Sequence, residues 1–207
     1  RIMEFDIKCN KQLMMAVDGY TEPNTLQNKV YDKKFINFNR RWRLHRPVLV
    51  GLLYATNLLT EGYVSMASSD DNRSWETVWA NMLRCHASTP EIVELFKNNE
   101  HAILNMPNLY IDTNDLITNR AILESSTDYL YENTYFSLVT ETSIPMKPFS
   151  YHFDVNTDTG RILSEKIFKP IALRHPFLVV SNPKTLELLR SLGYKTFSPL
   201  IDESYDD

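Results

Sequence analysis

Residues 33–66 combine the periodicities of strands and of helices, and this alternation constrains the fold more than any other feature of the chain. The stretch KKFINFN predicts a buried strand that ends at Asn39. PVLVGLLYATNLLTEG predicts a helix, with Pro47 at its first position and Gly62 at its end. YVSMA then predicts a second strand. A strand, a helix and a strand in this order form the basic unit of a parallel sheet.

The rest of the chain continues the alternation. In the middle, helices are predicted at ETVWANMLRC, PEIVELFKNN and NRAILESSTDYLYEN, and a short strand at LYIDTND. In the second half, strands are predicted at YFSLVTET, PFLVV and YKTFS, separated by helices at SEKIFKPIALRH and NPKTLELLRSLG. The pattern predicts an α/β fold with a doubly wound, mostly parallel sheet over residues 31–207, preceded by a short amino-terminal segment, 1–30.

Glycine is scarce, and its scarcity limits how the chain can hold a phosphate. Only 5 of the 207 residues are glycine, and all 5 are isolated. No G-x-G-x-x-G motif and no Walker loop can therefore be written, which excludes the usual dinucleotide oxidoreductases and P-loop proteins. Any bound phosphate must be held by side chains and a helix end.

Charge and cysteine content narrow the class of protein further. The formal net charge is −4, so a globally basic nucleic-acid binder is not expected. Cys9 and Cys85 form no C-x-x-C motif, and no apolar run approaches the roughly 20 residues of a membrane span. We therefore expect a reduced, cytoplasmic protein without a membrane span. Because the chain begins at Arg1 and ends in DESYDD, we also expect it to be a fragment.

The densest chemical signal is a basic cluster of Arg40, Arg41, Arg43, His45 and Arg46. It lies between the carboxyl end of a predicted strand and the first turn of a helix, the edge at which open α/β sheets bind ligands. The helix start adds partial positive charge and N–H donors, and arginine forks fit phosphate oxygens. The cluster therefore predicts a phosphate site, with a solvated basic loop as the alternative.

A second basic signal opens a later helix. Ser164, Glu165 and Lys166 form its start, and Lys169 follows one turn on. Taken alone this is an ordinary polar helix start with a serine cap, but two basic helix starts on one sheet could hold a diphosphate between them. Glu141, at the end of a strand, could accept hydrogen bonds from substrate hydroxyls or act as a base, or it could be a solvated charge.

The second half of the chain resembles the donor-binding half of fucosyltransferase-like enzymes. There a strand ending in a Glu-containing segment precedes a Ser/Thr-Glu-Lys helix start and a small buried strand, matched here by Glu141, Ser164-Glu165-Lys166 and PFLVV. FNRRWRLHR, with the helix after it, is similar to the first strand–loop–helix of that half. The pattern also resembles glycosyltransferases of phages and marine microbes. The similarity covers about residues 33–200.

This resemblance implies a Rossmann-like half of a GT-B glycosyltransferase. Lys166, with one or more arginines of the basic cluster, would hold the donor diphosphate. Glu165 would contact the ribose of the nucleotide, and Glu141 would lie near the donor sugar in the catalytic centre. A complete GT-B enzyme also has an amino-terminal acceptor domain, which about 30 residues cannot form, so the catalytic base is not identified.

The sequence thus favours a glycosyltransferase, or its donor-binding domain, that transfers a sugar from a nucleoside-diphosphate sugar to an acceptor hydroxyl. The nucleotide-sugar is a co-substrate, and no other cofactor is expected. The chain contains neither an Asp-x-Asp motif nor an H-E-x-x-H motif, so we expect no metal site and metal-independent activity. The alternative is a non-catalytic module whose basic edge binds nucleic acid or a phosphorylated polymer.

Overall fold

The computed structural model describes residues 31–39, 43, 45–66, 76, 89–111, 128–141, 163–198 and 200–206. Their secondary structure in chain order is β1 (Lys33–Asn39), α1 (His45–Ala55), β2 (Gly62–Met66), α2 (Pro90–Asn98), α3 (Glu100–Leu104), α4 (Asp128–Glu132), β3 (Thr134–Thr140), α5 (Glu165–Ala172), β4 (Phe177–Val180) and α6 (Thr185–Ser191), with 3-10 turns at Leu59–Glu61 and Ser204–Asp206.

The four strands form one parallel sheet in the order β2-β1-β3-β4. Phe35 of β1 pairs with Gly62 of β2 and with Phe136 of β3, and Ser137 of β3 pairs with Phe177 of β4. The unit β1–α1–β2 therefore extends to one side and the unit β3–α5–β4 to the other. We call the boundary between β1 and β3 the switch point, because sheets of this kind bind ligands where the strand order reverses.

Both faces of the sheet are covered by helices. One cluster contains Phe35 and Val64 together with Val50 of α1 and Phe96 of α2. Successive side chains of a strand point to opposite faces, and Ile36 accordingly belongs to a different cluster, with Leu130 and Tyr131 of α4.

The strand β3 alternates in the same way. Leu138 packs against the α1 cluster, whereas Val139 packs with Ile167 and Phe168 of α5. Helices α1 and α5 therefore lie on opposite faces of the sheet. The α/β fold with a parallel, doubly wound sheet is confirmed at this level.

Most predicted elements coincide with observed ones, and the first helix shows where local signals fail. Helix α1 begins at His45, two residues before Pro47, and ends at Ala55 rather than near Gly62. The helix stops because Asn57 adopts a left-handed conformation, with φ 59°. A 3-10 turn then leads directly into β2.

The prediction of a final strand at YKTFS is wrong. Tyr194 and Phe197 instead pack against the α5 cluster, and the N–H of Phe197 donates to Glu203 Oε1 at 2.7 Å. The N–H of Val179 donates to the Tyr205 hydroxyl at 3.3 Å, so the carboxyl-terminal segment contacts the outer edge of β4 where a further strand was expected.

Several predictions lie outside the described residues. They include segment 1–30, nearly all of ETVWANMLRC, and the part of NRAILESSTDYLYEN before Asp128. Of LYIDTND, Leu109 forms a single antiparallel bridge with Met66. Within the described ranges, no helix is long and apolar enough to cross a bilayer.

The carboxyl-terminal acidic segment stabilises α6, and its contribution can be measured. Asp206 is buried, and its carboxylate accepts the N–H groups of Thr185 at 3.2 Å and Leu186 at 2.7 Å. We expect Asp206→Ala to lower the free energy of unfolding by about 1–2 kcal/mol, because two helix-start donors lose their acceptor. The exposed Asp202 contacts the N–H of Ser204 at 3.0 Å and provides the control Asp202→Ala. Urea denaturation would contradict the assignment if both variants lost the same stability.

Candidate functional site

Polar side chains connect the carboxyl ends of β1 and β3 at the switch point. The side chain of Asn37 donates to the carbonyl of Leu138 at 2.6 Å. Thr140 donates to Asn39 Oδ1 at 2.5 Å, and the side-chain amide of Asn39 donates to Asn37. The N–H of Asn39 donates to Ser65 Oγ on β2 at 3.1 Å. This network ties three strand ends together beneath the edge where ligands bind in such sheets.

Glu141 follows β3 directly and is fully buried. Its N–H donates to the carbonyl of Val180 at 3.1 Å, which extends the pairing of β3 with β4. Its own carbonyl oxygen accepts from His45 Nε2 at 2.8 Å and from a terminal guanidinium nitrogen of Arg46 at 3.2 Å. The backbone of Glu141 therefore holds the first two residues of α1.

The carboxylate of Glu141 contacts the other helix start. Oε1 accepts the N–H of Ser164 at 3.1 Å, and Oε2 accepts the Ser164 hydroxyl at 2.6 Å. The Ser164 oxygen in turn accepts the N–H of Lys166 at 3.3 Å and its ammonium at 3.3 Å. A buried carboxylate is stable only when donors replace its lost hydration, and Ser164 supplies two of them.

His45 is neutral at pH 7, because its surroundings lower its pKa. Burial lowers its pKa from 6.5 to about 4, the hydrogen bond to Glu141 opposes that shift, and the charges of Arg46, Arg43 and Lys166 add to it. Because Nε2 faces a carbonyl oxygen, it carries the proton of the neutral ring. Since cations from both helix starts act on this one imidazole, the two basic segments converge. We call Arg43, His45, Arg46 and Lys166 the basic site.

The members of the basic site differ in exposure. Arg43 is exposed and Lys166 is half-buried, so both can meet a ligand. Arg46 and His45 are only 3% and 5% exposed and lie beneath them. Arg43 is held by its carbonyl, which accepts the N–H of Arg46 at 2.8 Å. Of the other predicted site residues, Glu165 opens α5 but its side chain lies outside the described part, as do Arg40 and Arg41.

Two details of the second basic signal differ from expectation. Two first-turn N–H groups of α5 already have acceptors, because Lys166 donates to Ser164 Oγ and Ile167 donates to the Ser164 carbonyl at 3.2 Å. Lys169 does not join the site: it is buried, forms an ion pair with Asp128 at 3.0 Å, and lies 5.3 Å from the ring centre of Tyr131. An anion at α5 would therefore meet the Lys166 side chain rather than these two backbone amides.

Comparison of the chain with protein-family models, curated proteins and solved structures finds no match. The resemblance to fucosyltransferase-like enzymes thus stays a prediction from sequence motifs. Within the described ranges, no group of three His, Cys, Asp or Glu side chains is arranged to hold a metal ion. The chemical interpretation of the site rests on its geometry and charge.

The catalytic role predicted for Glu141 also stays a prediction. Both carboxylate oxygens accept from Ser164 and the residue is fully buried, so its burial lends no support to contact with a donor sugar. Sequence reasoning did not identify Asn37, Asn39 or Thr140 as site residues. The two asparagines in the otherwise apolar core of KKFINFN were the available signal.

The low pKa of His45 predicts a stability change in mild acid. The folded chain holds this histidine with a pKa of about 4, against 6.5 for an ordinary histidine. Between these values the unfolded chain binds a proton that the folded chain does not, so the free energy of unfolding decreases as pH falls from about 6.5 to about 4. By this linkage the contribution of His45 is smaller at pH 5 than at pH 7 by about 2 kcal/mol.

Substitution isolates that contribution. His45→Gln keeps an N–H donor for the Glu141 carbonyl but cannot be protonated, so the difference in unfolding free energy between pH 7 and pH 5 should shrink by about the same 2 kcal/mol. His101→Gln replaces an exposed histidine on α3 and serves as the control. Identical pH dependence in wild type and His45→Gln, measured by urea denaturation, would contradict the assignment.

Proposed function

We propose that the chain is a nucleotide-sugar-dependent glycosyltransferase, or the donor-binding domain of one, with a GT-B type of Rossmann-like fold. The observation that carries the proposal is the convergence of cations from two helix starts at the switch point. Arg43 precedes α1 and Arg46 lies in its first turn, where it donates to the carbonyl of Glu141. Lys166, in the first turn of α5, donates to Ser164, which donates to the carboxylate of the same Glu141. This arrangement supports a ligand with two adjacent negative groups.

In the proposal, Arg43 and Lys166 bind the donor diphosphate directly, because they are the more exposed members of the basic site. Guanidinium groups form paired hydrogen bonds with phosphate oxygens, and an ammonium acts as a compact point charge. Arg46 adds positive potential from beneath, and the amino-terminal ends of α1 and α5 add their partial charges. Arg40, Arg41 and Glu165 keep their predicted roles as further nucleotide-sugar contacts.

The reaction follows from this charge distribution. An oxygen of the acceptor hydroxyl forms a bond to the anomeric carbon of the sugar, while the bond between that carbon and the diphosphate oxygen breaks. The electron pair of the broken bond leaves with the nucleoside diphosphate, and the hydroxyl proton passes to a general base. Arg43 and Lys166 would stabilise the negative charge that develops on the leaving group, which is commonly a large part of catalysis.

Nucleotide selectivity tests the proposal. A thermal-shift panel of GDP, UDP, CDP and dTDP should show selective stabilisation by one nucleotide. At 100 times its Kd the gain is about 2.7 kcal/mol, or roughly 5–10 °C for a chain of this size. Lys166→Ala should abolish the response. Lys97→Ala removes the same charge from an exposed position at the end of α2 and should leave it intact.

A different response would indicate the alternative function. A module that binds nucleic acid or a phosphorylated polymer would respond to all four nucleotides alike, and its affinity for a polyanion would fall steeply with salt concentration. An unchanged shift in Lys166→Ala would remove Lys166 from the site.

Metal dependence provides a separate test. Because side-chain cations neutralise the leaving group in this proposal, turnover of the selected nucleotide-sugar should continue in excess EDTA. The measurement is release of the nucleoside diphosphate with and without the chelator. Loss of turnover with EDTA, restored by added Mg²⁺ or Mn²⁺, would show that the side chains do not suffice.

A further inference from the structure

We infer that Glu141 is a positioning residue that fixes Arg43 and Lys166 relative to each other, so that both cations reach one diphosphate. The inference rests on the proposed function, because it concerns the same basic site. It assigns to Glu141 a role through its neighbours instead of contact with the sugar.

Among the described residues, Glu141 forms hydrogen bonds with both helix starts. Its carbonyl oxygen accepts from both His45 and Arg46, and its two carboxylate oxygens accept from Ser164. Helices α1 and α5 lie on opposite faces of the sheet, so they do not pack against each other across it. The relative position of their first turns therefore depends on the hydrogen bonds that both form at the edge of the sheet. Four hydrogen bonds to one buried residue provide that connection.

Each helix start then transmits the position to an exposed cation. On the α1 side, the N–H of Arg46 donates to the carbonyl of Arg43 at 2.8 Å, which fixes the backbone of Arg43. On the α5 side, the ammonium of Lys166 donates to Ser164 Oγ at 3.3 Å, and the same oxygen donates to Glu141 at 2.6 Å. A change at the carboxylate therefore displaces Lys166 relative to Arg43 without removing either charge.

If Glu141 fixes the two cations relative to each other, the basic site should bind a diphosphate more tightly than a single phosphate. A single phosphate needs only one of the two cations, whereas a diphosphate must reach both at once. Weakening the contact between Glu141 and Ser164 should reduce affinity for a diphosphate more than affinity for a monophosphate. A residue that only touches the donor sugar would change neither affinity.

The experiment compares inorganic pyrophosphate with inorganic phosphate by isothermal titration calorimetry. Glu141→Asp keeps the charge but withdraws the carboxylate from Ser164 by one methylene, and Ser164→Ala removes the hydroxyl contact. We expect each to reduce the ratio of the two affinities about tenfold, equivalent to about 1.4 kcal/mol. Thr89→Ala is the matched control, since it also deletes a helix-capping hydroxyl, in α2. It should lower the melting temperature and leave the ratio unchanged.

The outcomes separate this inference from the proposed function. An unchanged ratio in either folded variant, or a wild-type ratio near one, would overturn the positioning role. If the variants, like Thr89→Ala, lower the melting temperature and leave the ratio unchanged, the contact between Glu141 and Ser164 is purely structural. If Glu141→Asp does not fold by circular dichroism, Ser164→Ala decides. A wild type that discriminates pyrophosphate but selects no nucleoside diphosphate would overturn the glycosyltransferase while leaving the positioning role supported.

Discussion

The buried carboxylate of Glu141 sets a condition that the rest of the fold must meet. Taking an ionised group out of water costs several kcal/mol unless protein donors replace the hydration shell. Ser164 supplies two such donors at 3.1 and 2.6 Å, so the start of α5 must lie against the end of β3. Because the carbonyl of the same residue accepts from His45 and Arg46, the start of α1 is drawn to the same place. The starts of helices α1 and α5 thus both contact this one residue.

The strands were predictable because their signals are local. In β1 and β3, apolar side chains fill both faces of a sheet covered by helices, and such runs are visible in a short window of sequence. The end of α1 was not predictable in the same way, since Asn57 and Gly62 are both residues that can terminate a helix. YKTFS has the composition of a strand, but whether a strand forms depends on a partner edge. Here Tyr205 already meets that edge, and a local pattern carries no information about such a contact.

The edge of the sheet at which the basic residues lie was predictable from the sequence, but the burial of each side chain was not. Basic residues after a strand and at a helix start were found because the carboxyl ends of parallel strands share one edge. Which of them are buried depends on how the two helices cover that edge. Arg46 and Arg43 are close in sequence, yet one lies beneath the surface and the other on it. The sequence associated Lys169 with the second basic segment because Lys169 lies one turn after Lys166. Its ion-pair partner, Asp128, is distant in sequence, so no local pattern could show that Lys169 is engaged elsewhere.

The scarcity of glycine and the neutral state of His45 both affect how positive charge is held at this edge of the sheet. A glycine-rich loop surrounds a phosphate with backbone amides, whose positions follow from the loop itself. In this chain the first-turn amides of Lys166 and Ile167 are already engaged by Ser164, and recognition would fall to flexible side chains. Such recognition is selective only if the backbone beneath the side chains is held rigidly. A protonated His45 would add repulsion among Arg43, Arg46 and Lys166, whereas the neutral ring donates one hydrogen bond to Glu141 and adds no charge. The buried imidazole and the buried carboxylate therefore have the same effect, which is to let the positive charges of the two helix starts lie close together.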